Sequence, residues 1–129
     1  MTTASYRVEL PDGSAFSCQP GETVLRAALR AGFDAPYECA SGACGSCKCR
    51  LKGGEVSQLW DEAPGLSLRD RRKGDRILTC QSVPSSNLVV DLRASKPRAE
   101  PAPVPLLATV EVKTWLNSTV IRLVLRLPE

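Results

Sequence analysis

The chain has 129 residues, of which 43% are hydrophobic and 24% are charged. This length allows one ordinary domain with a core, or one small domain and an appendage. Its 17 basic and 14 acidic residues give a net charge of +3, too even a balance to indicate a nucleic-acid binder. Histidine is absent and cysteine occurs six times. The absence of histidine excludes Ser-His-Asp and Cys-His catalysis and histidine-ligated metal sites, so we predict no catalytic residue and look to the cysteines for chemistry.

Nothing in the sequence indicates a membrane span or a secretion signal. No stretch approaches the roughly 20 apolar residues that a span requires. The first five residues have neither a basic region nor an apolar core, as a signal peptide would. We therefore expect a cytoplasmic protein with no membrane and no nucleic-acid partner. In that reducing compartment, a dense group of cysteines is more often metal-bound or redox-active than disulfide-bonded.

Three regions of the chain differ in composition. Residues 1–94 contain all six cysteines, and we expect them to form one domain. Residues 95–105 carry four prolines and no periodic apolar pattern, which predicts an extended, semi-rigid linker. Residues 106–129 return to β-type residues. Within them, Ala108–Glu129 indicates two strands joined at Asn117-Ser118.

Alternation, turn residues and one amphipathic stretch predict a small sheet with a helix in the first region. The helix runs from Val24 to Ala31, with Thr23 as its N-cap and Gly32 as its stop. The other predicted elements are strands at 6–10 and 15–18, an irregular segment at 36–47, a strand at 48–51, a short helix and loop with a solvated basic face at 69–76, and strands at 77–81 and 88–92. This order predicts an α+β roll, a small sheet wrapped around one helix.

The irregular segment has the cysteine spacing of a [2Fe-2S] site. Cys39, Cys44 and Cys47 form C-x4-C-x2-C, and Cys80 follows after 32 residues, which is the plant-type ligand spacing. Four thiolates around two sulfide-bridged ferric ions leave a charge of about −2, so backbone amides must come close to the sulfurs. The small residues between the cysteines allow that approach. We predict that Cys39, Cys44, Cys47 and Cys80 bind the metal of a [2Fe-2S] cofactor.

C-x2-C pairs also occur in structural zinc sites and in thioredoxin-like dithiols. A structural zinc site usually has two such pairs, whereas Cys80 stands alone. A dithiol site opens a helix, which Gly42 and Gly45 would interrupt. A zinc-stabilised interaction module remains the rival from a different class. Cys18 and Cys49 lie outside the spacing, and we expect each to be a buried small hydrophobic residue.

The residues around the cysteines resemble a known family. Tyr37–Cys47 together with Leu78–Gln81 looks like the plant-type ferredoxin domain, and the resemblance covers residues 5–93. It implies a β-grasp fold. Gly54–Trp60 together with Ala63–Leu66 further resembles the N-terminal ferredoxin domain of reductases that serve bacterial di-iron monooxygenases, such as toluene and phenol hydroxylase reductases. In that family a flavin domain and a nicotinamide-binding domain follow.

Residues 106–129 look like the opening β-hairpin of the flavin barrel in those reductases, and this domain is incomplete here. Neither an Arg-x-Tyr-Ser/Thr flavin signature nor a Gly-rich nucleotide loop follows the hairpin. The resemblance implies a one-electron carrier that receives electrons from a flavin domain or reductase and passes them to an oxygenase component. We expect the gene product to be longer than this chain, and FAD and NAD(P)H would bind in its further domains. A stand-alone ferredoxin is the alternative.

The resemblance also implies roles within the site. Cys39 and Cys44 would hold the iron nearer the surface, and Cys47 and Cys80 the inner iron. The loop Pro36–Ser46 would be the contact face for redox partners. Tyr37 and Glu38 flank the cysteines of this loop. They either help to set partner contacts or are ordinary exposed loop residues.

Overall fold

A computed structural model describes residues 5–94, 96, 101 and 104–129 of the chain. The strands are Tyr6–Glu9 (β1), Ala15–Cys18 (β2), Lys48–Gly53 (β3), Val56–Gln58 (β4), Arg76–Leu78 (β5), Ser82–Pro84 (β6), Leu88–Asp91 (β7), Thr109–Trp115 (β8) and Ile121–Arg126 (β9). The helices are Val24–Arg30 (α1) and Leu68–Lys73 (α2), and a 3-10 turn spans Thr79–Gln81. Within the described residues, neither helix is long and apolar enough to cross a membrane.

Five strands form one mixed sheet in the order β2-β1-β7-β3-β5. β1 runs parallel to β7, where Val8 pairs with Leu88, and the other neighbours in this sheet are antiparallel. β4 pairs with β6 in a separate ladder, as β8 does with β9. The predicted α+β class is confirmed by this mixed sheet with few helices.

Helix α1 supplies a large part of the core, together with the central strands of the sheet. Its residues Val24, Ala27 and Ala28 have 0% exposure, because they lie on the apolar side that packs inward. The Thr23 hydroxyl accepts the N–H of Arg26 at 3.3 Å, so the predicted N-cap is confirmed. The predicted stop at Gly32 is confirmed too, since this residue has a φ of +87° directly after the C-cap.

Removal of the N-cap of α1 should destabilise the domain. We expect Thr23→Ala to lower the free energy of unfolding by about 1 kcal/mol, because the first turn of the helix loses an acceptor for one of its free N–H groups. Thr23→Ser keeps the hydroxyl and should remain close to the wild type. Urea unfolding followed by circular dichroism measures both variants, and an equal loss in the two would contradict the capping role.

The chain around Cys80 differs from the prediction of one strand over 77–81. β5 ends at Leu78, and Cys80 lies in the 3-10 turn that follows. The Ser82 hydroxyl donates to the Leu78 carbonyl at 2.8 Å and closes this turn. β6 then pairs with β4 rather than with the main sheet. The sequence did not predict β4 and β6, because three residues are too short for a recognisable alternation.

The other predicted elements are present, and their ends differ from the predicted ones by at most three residues. The predicted linker, residues 95–105, lies largely outside the described residues. Beyond it, β8 and β9 occur where two strands were predicted, and the Asn117 side chain closes their turn by accepting the N–H groups of Thr119 and Val120, each at 2.9 Å. All residues of β8 are exposed, and in β9 only Ile121 is half-buried.

Candidate metal centre

The loop that carries three of the predicted site cysteines turns through residues with positive φ. Gly42 and Gly45 have φ values of +91° and +79°, and Ala40 has +53°. For a residue with a Cβ this conformation costs about 1–2 kcal/mol, so Ala40 places a strained turn directly after Cys39. The tight turns bring backbone N–H groups next to cysteine sulfurs.

Backbone amides of this loop donate hydrogen bonds to its own thiols. The N–H groups of Ser41 and Cys44 donate to Cys39 Sγ, each at 3.4 Å, and the N–H of Ser46 donates to Cys44 Sγ at 3.3 Å. The side chain of Ser41, followed by the amides of Ser41, Cys44 and Ala43, lowers the pKa of the Cys39 thiol to about 5. Cys39 is therefore a thiolate at neutral pH, the form that binds metal ions.

The other two predicted site cysteines form a buried pair. Cys47 Sγ and Cys80 Sγ lie 3.4 Å apart, and both residues are buried, whereas Cys39 and Cys44 are exposed. Burial, followed by the hydrogen bond with Cys47, raises the pKa of the Cys80 thiol. Cys80 therefore keeps its proton unless a cation offsets the charge of its thiolate.

Three glycines hold the cysteine loop against the surrounding chain. A Cβ on Gly42 would lie 3.0 Å from Cγ of Gln81, next to Cys80, and a Cβ on Gly45 would lie 2.8 Å from the carbonyl oxygen of Gly65. The N–H of Gly65 in turn donates to the Gly42 carbonyl at 2.8 Å. The backbone N–H of Gly42 acts to lower the pKa of the Cys80 thiol, although burial outweighs it. Backbone contacts thus join the loop to the turn that carries Cys80.

These residues fit a [2Fe-2S] cluster in their chemistry. The donors are all sulfur, which suits iron–sulfur clusters, and the neighbouring N–H groups can stabilise the negative charge of ligated sulfur. As the side chains stand, no group of three or more Cys, Asp or Glu residues in the described parts of the chain is gathered closely enough to hold a metal ion. The structure brings Cys47 and Cys80 together, while Cys39 and Cys44 are linked through the amide of Cys44.

Strand β3, which begins directly after Cys47, is fixed by an ion pair. Lys48 Nζ lies 3.0 Å from Asp70 Oδ2, and Asp70 also accepts the backbone N–H of Ser67 at 3.0 Å. The hydrogen bond from Lys48, followed by those from Ser67, lowers the pKa of Asp70 to about 2. The ionised carboxylate thereby connects the first residue of β3 to the N-terminus of α2.

The remaining cysteines, Cys18 and Cys49, are buried, as predicted. Cys18 has 0% exposure and its thiol donates to the Glu22 carbonyl at 3.1 Å. Burial raises the pKa of Cys18 to about 11 and that of Cys49 to about 12. Both are neutral thiols at physiological pH.

Residues 8–85 match the family model described as "2Fe-2S iron-sulfur cluster binding domain". The chain belongs to this family. Its cofactor is a [2Fe-2S] cluster, and its function is electron transfer, as in the ferredoxin domains of oxygenase reductases. The family assignment favours the predicted cluster over the zinc-stabilised module.

Similar proteins carry this domain as one part of a longer reductase. The chain is 61% identical over 118 residues to the ferredoxin–NAD(+) reductase component of the alkene monooxygenase system of Xanthobacter autotrophicus, covering 92% of this chain and 36% of the relative. It is 37% identical over 89 residues to the phenol 2-monooxygenase reductase component DmpP of a Pseudomonas species, covering 67% of this chain and 25% of the relative. The ferredoxin reductase of carbazole 1,9a-dioxygenase superposes with a TM-score of 0.81 at 34% identity, covering 96% of this chain and 38% of that one. The chain thus spans between a quarter and about two fifths of the length of these proteins.

Sequence reasoning missed two features of this site. Gly65 falls within Ala63–Leu66, a segment that carries the family resemblance, yet no pattern predicts that its carbonyl oxygen packs against Gly45. Thr79 lies in the predicted strand 77–81 directly before Cys80, and no pattern predicts its complete burial. The Pro64-Gly65 pair was the one available signal, because such a pair marks a tight turn where backbones can approach closely.

Proposed function

We propose that Cys39, Cys44, Cys47 and Cys80 are the four ligands of the cluster. The observation that carries this assignment is the donation of loop amides to the sulfurs of Cys39 and Cys44, combined with the 3.4 Å contact between Cys47 and Cys80. The exposure of the four residues supports the outer and inner ligand pairs that the resemblance implies. The bound cluster would supply a site that accepts and releases one electron.

We further propose that the chain acts as the ferredoxin part of a longer NAD(P)H-dependent reductase. The supporting observation is that its relatives are named as reductase components of monooxygenases and dioxygenases, and that the match includes residues beyond the ferredoxin domain. In this proposal 1–94 is the ferredoxin domain, 95–105 a tether, and 106–129 the opening hairpin of an FAD-binding domain that continues in the longer protein. A cytoplasmic location remains a prediction.

The direction of electron flow follows from these parts. Electrons would arrive from the flavin domain and leave to an oxygenase component. The loop Pro36–Ser46 would be the docking face, because it contains both exposed cysteines and leaves that side of the site open to a partner. On the opposite side, the buried residues Cys47 and Cys80 keep water away from the inner part of the site. A covalent tether would hold the flavin domain at high effective concentration without a large fixed interface.

The cluster-loaded chain should not be reduced by NADH or NADPH alone. Nicotinamides donate a hydride, a two-electron carrier, whereas the cluster accepts one electron, so a flavin must divide the pair. We expect the visible bands to persist on incubation with NADH and to bleach when a catalytic amount of an NAD(P)H-dependent flavin reductase is added. Dithionite serves as the positive control for reduction. Bleaching by NADH without added reductase would contradict the proposed division of labour.

A further inference from the structure

One buried hydroxyl, on the residue that precedes Cys80, has no hydrogen-bond partner in the part of the chain that the structure describes. The Thr79 side chain has 0% exposure, and its Oγ1 has no partner among the described residues. Buried polar groups are normally paired, because an unpaired one loses its hydrogen bond to water and gains nothing in return. Thr79 therefore indicates an acceptor that these residues do not provide.

Thr79 is linked to both buried cysteines through its backbone. It directly precedes Cys80 in the 3-10 turn, and its backbone N–H donates to the Cys47 carbonyl at 3.3 Å. The thiols of those two residues are themselves in contact. Thr79, which carries the unpaired hydroxyl, is thus joined through its backbone to both residues that, by the ligand assignment proposed above, hold the inner half of the cluster.

A second buried hydroxyl at the end of the same turn is satisfied within the chain. Ser82 also has 0% exposure, and its hydroxyl donates to the Leu78 carbonyl at 2.8 Å. The two hydroxyls are therefore equally buried and lie at the two ends of the same turn, but only that of Ser82 has an acceptor among the described residues. This difference makes Ser82 a matched control for Thr79.

We propose that the Thr79 hydroxyl donates its hydrogen bond to a sulfur of the bound cluster. The inference rests on the proposed ligand set. Sulfur in the cluster is anionic and gains negative charge on reduction, so a donor stabilises the reduced state more than the oxidised state and raises the reduction potential. By this direct contact, Thr79 helps to retain the cluster and sets part of its reduction potential. No bond is made or broken in this role.

Thr79→Val removes the hydroxyl and nearly preserves the shape of the side chain. We expect a more negative midpoint potential in a spectroelectrochemical titration of the cluster-loaded chain. We also expect loss of the cluster to an iron chelator to be about tenfold faster, which corresponds to 1.4 kcal/mol. Thr79→Ser keeps the hydroxyl and should retain a potential close to that of the wild type. Ser82→Ala removes an equally buried hydroxyl that closes the same turn, so it measures what loosening the turn alone does to the potential, and the shift in Thr79→Val should exceed it.

An unchanged potential in Thr79→Val would overturn the proposal, and so would an equal shift in Thr79→Ser. If Thr79→Val does not take up the cluster, assembly in Thr79→Ser supports the hydroxyl role, whereas failure of both variants overturns it. A separate result would contradict the proposed ligand set: full iron content after replacement of Cys80 in an otherwise wild-type chain. The two failures are therefore distinguishable.

Discussion

Alanine at any one of Cys39, Cys44, Cys47 or Cys80 is expected to abolish stable assembly of the [2Fe-2S] cluster. Each substitution removes one of four thiolates, and no histidine in the sequence can replace it. Reconstitution with iron and sulfide, followed by measurement of iron per chain and of the visible absorption bands, tests each variant. We expect less than about a tenth of the wild-type iron content in all four, since the cage cannot close around both irons.

The two remaining cysteines provide the control for this experiment. Cys18→Ala and Cys49→Ala remove buried thiols whose raised pKa keeps them neutral, so the visible spectrum should remain intact. These variants also report any general effect of cysteine loss on folding. Full iron in a variant of Cys39, or loss of the bands in a variant of Cys49, would refute the four-thiolate assignment.

The ligand candidates were predictable because their signal is local. The spacing of Cys39, Cys44 and Cys47 lies within nine residues of sequence, and the small residues between them indicate close backbone approach without any knowledge of the fold. Helix α1 was predictable for a similar reason, since Thr23, the apolar stripe and Gly32 mark its start, face and end within ten residues. Each of these signals depends on neighbours in sequence.

The features that were not predicted depend on contacts between distant segments. The 3-10 turn at Cys80 forms because its end is held by Ser82 and its start by the Cys47 carbonyl, a contact across 32 positions. β4 and β6 exist because they pair with each other, although neither has a readable pattern alone. The missing partner of Thr79 is also visible only when the burial of the whole turn is known.

The contact between Gly45 and Gly65 leads to a second large expected effect. Gly45→Ala should prevent efficient cluster assembly without removing any ligand. The added Cβ would lie 2.8 Å from the Gly65 carbonyl oxygen, a backbone atom that cannot rotate away. Displacement of Gly65 would also disturb its 2.8 Å hydrogen bond to the Gly42 carbonyl. Since Gly42 also lies against Gln81, the neighbour of Cys80, a clash at Gly45 reaches both halves of the proposed ligand set.

Gly13→Ala is the matched control, because it separates backbone strain from steric overlap. Gly13 has a φ of +86°, close to the +79° of Gly45, but nothing lies within 4 Å of a Cβ added there. Both variants should lose about 1–2 kcal/mol of folding free energy from positive φ, and Gly45→Ala should lose about 1–3 kcal/mol more from overlap. Iron per chain after reconstitution should therefore fall sharply in Gly45→Ala and remain near the wild-type value in Gly13→Ala. Equal iron content in the two variants would mean that the loop can move away from Gly65 without disturbing the cysteines. The close packing of Gly45 against Gly65 would then have no role in shaping the site.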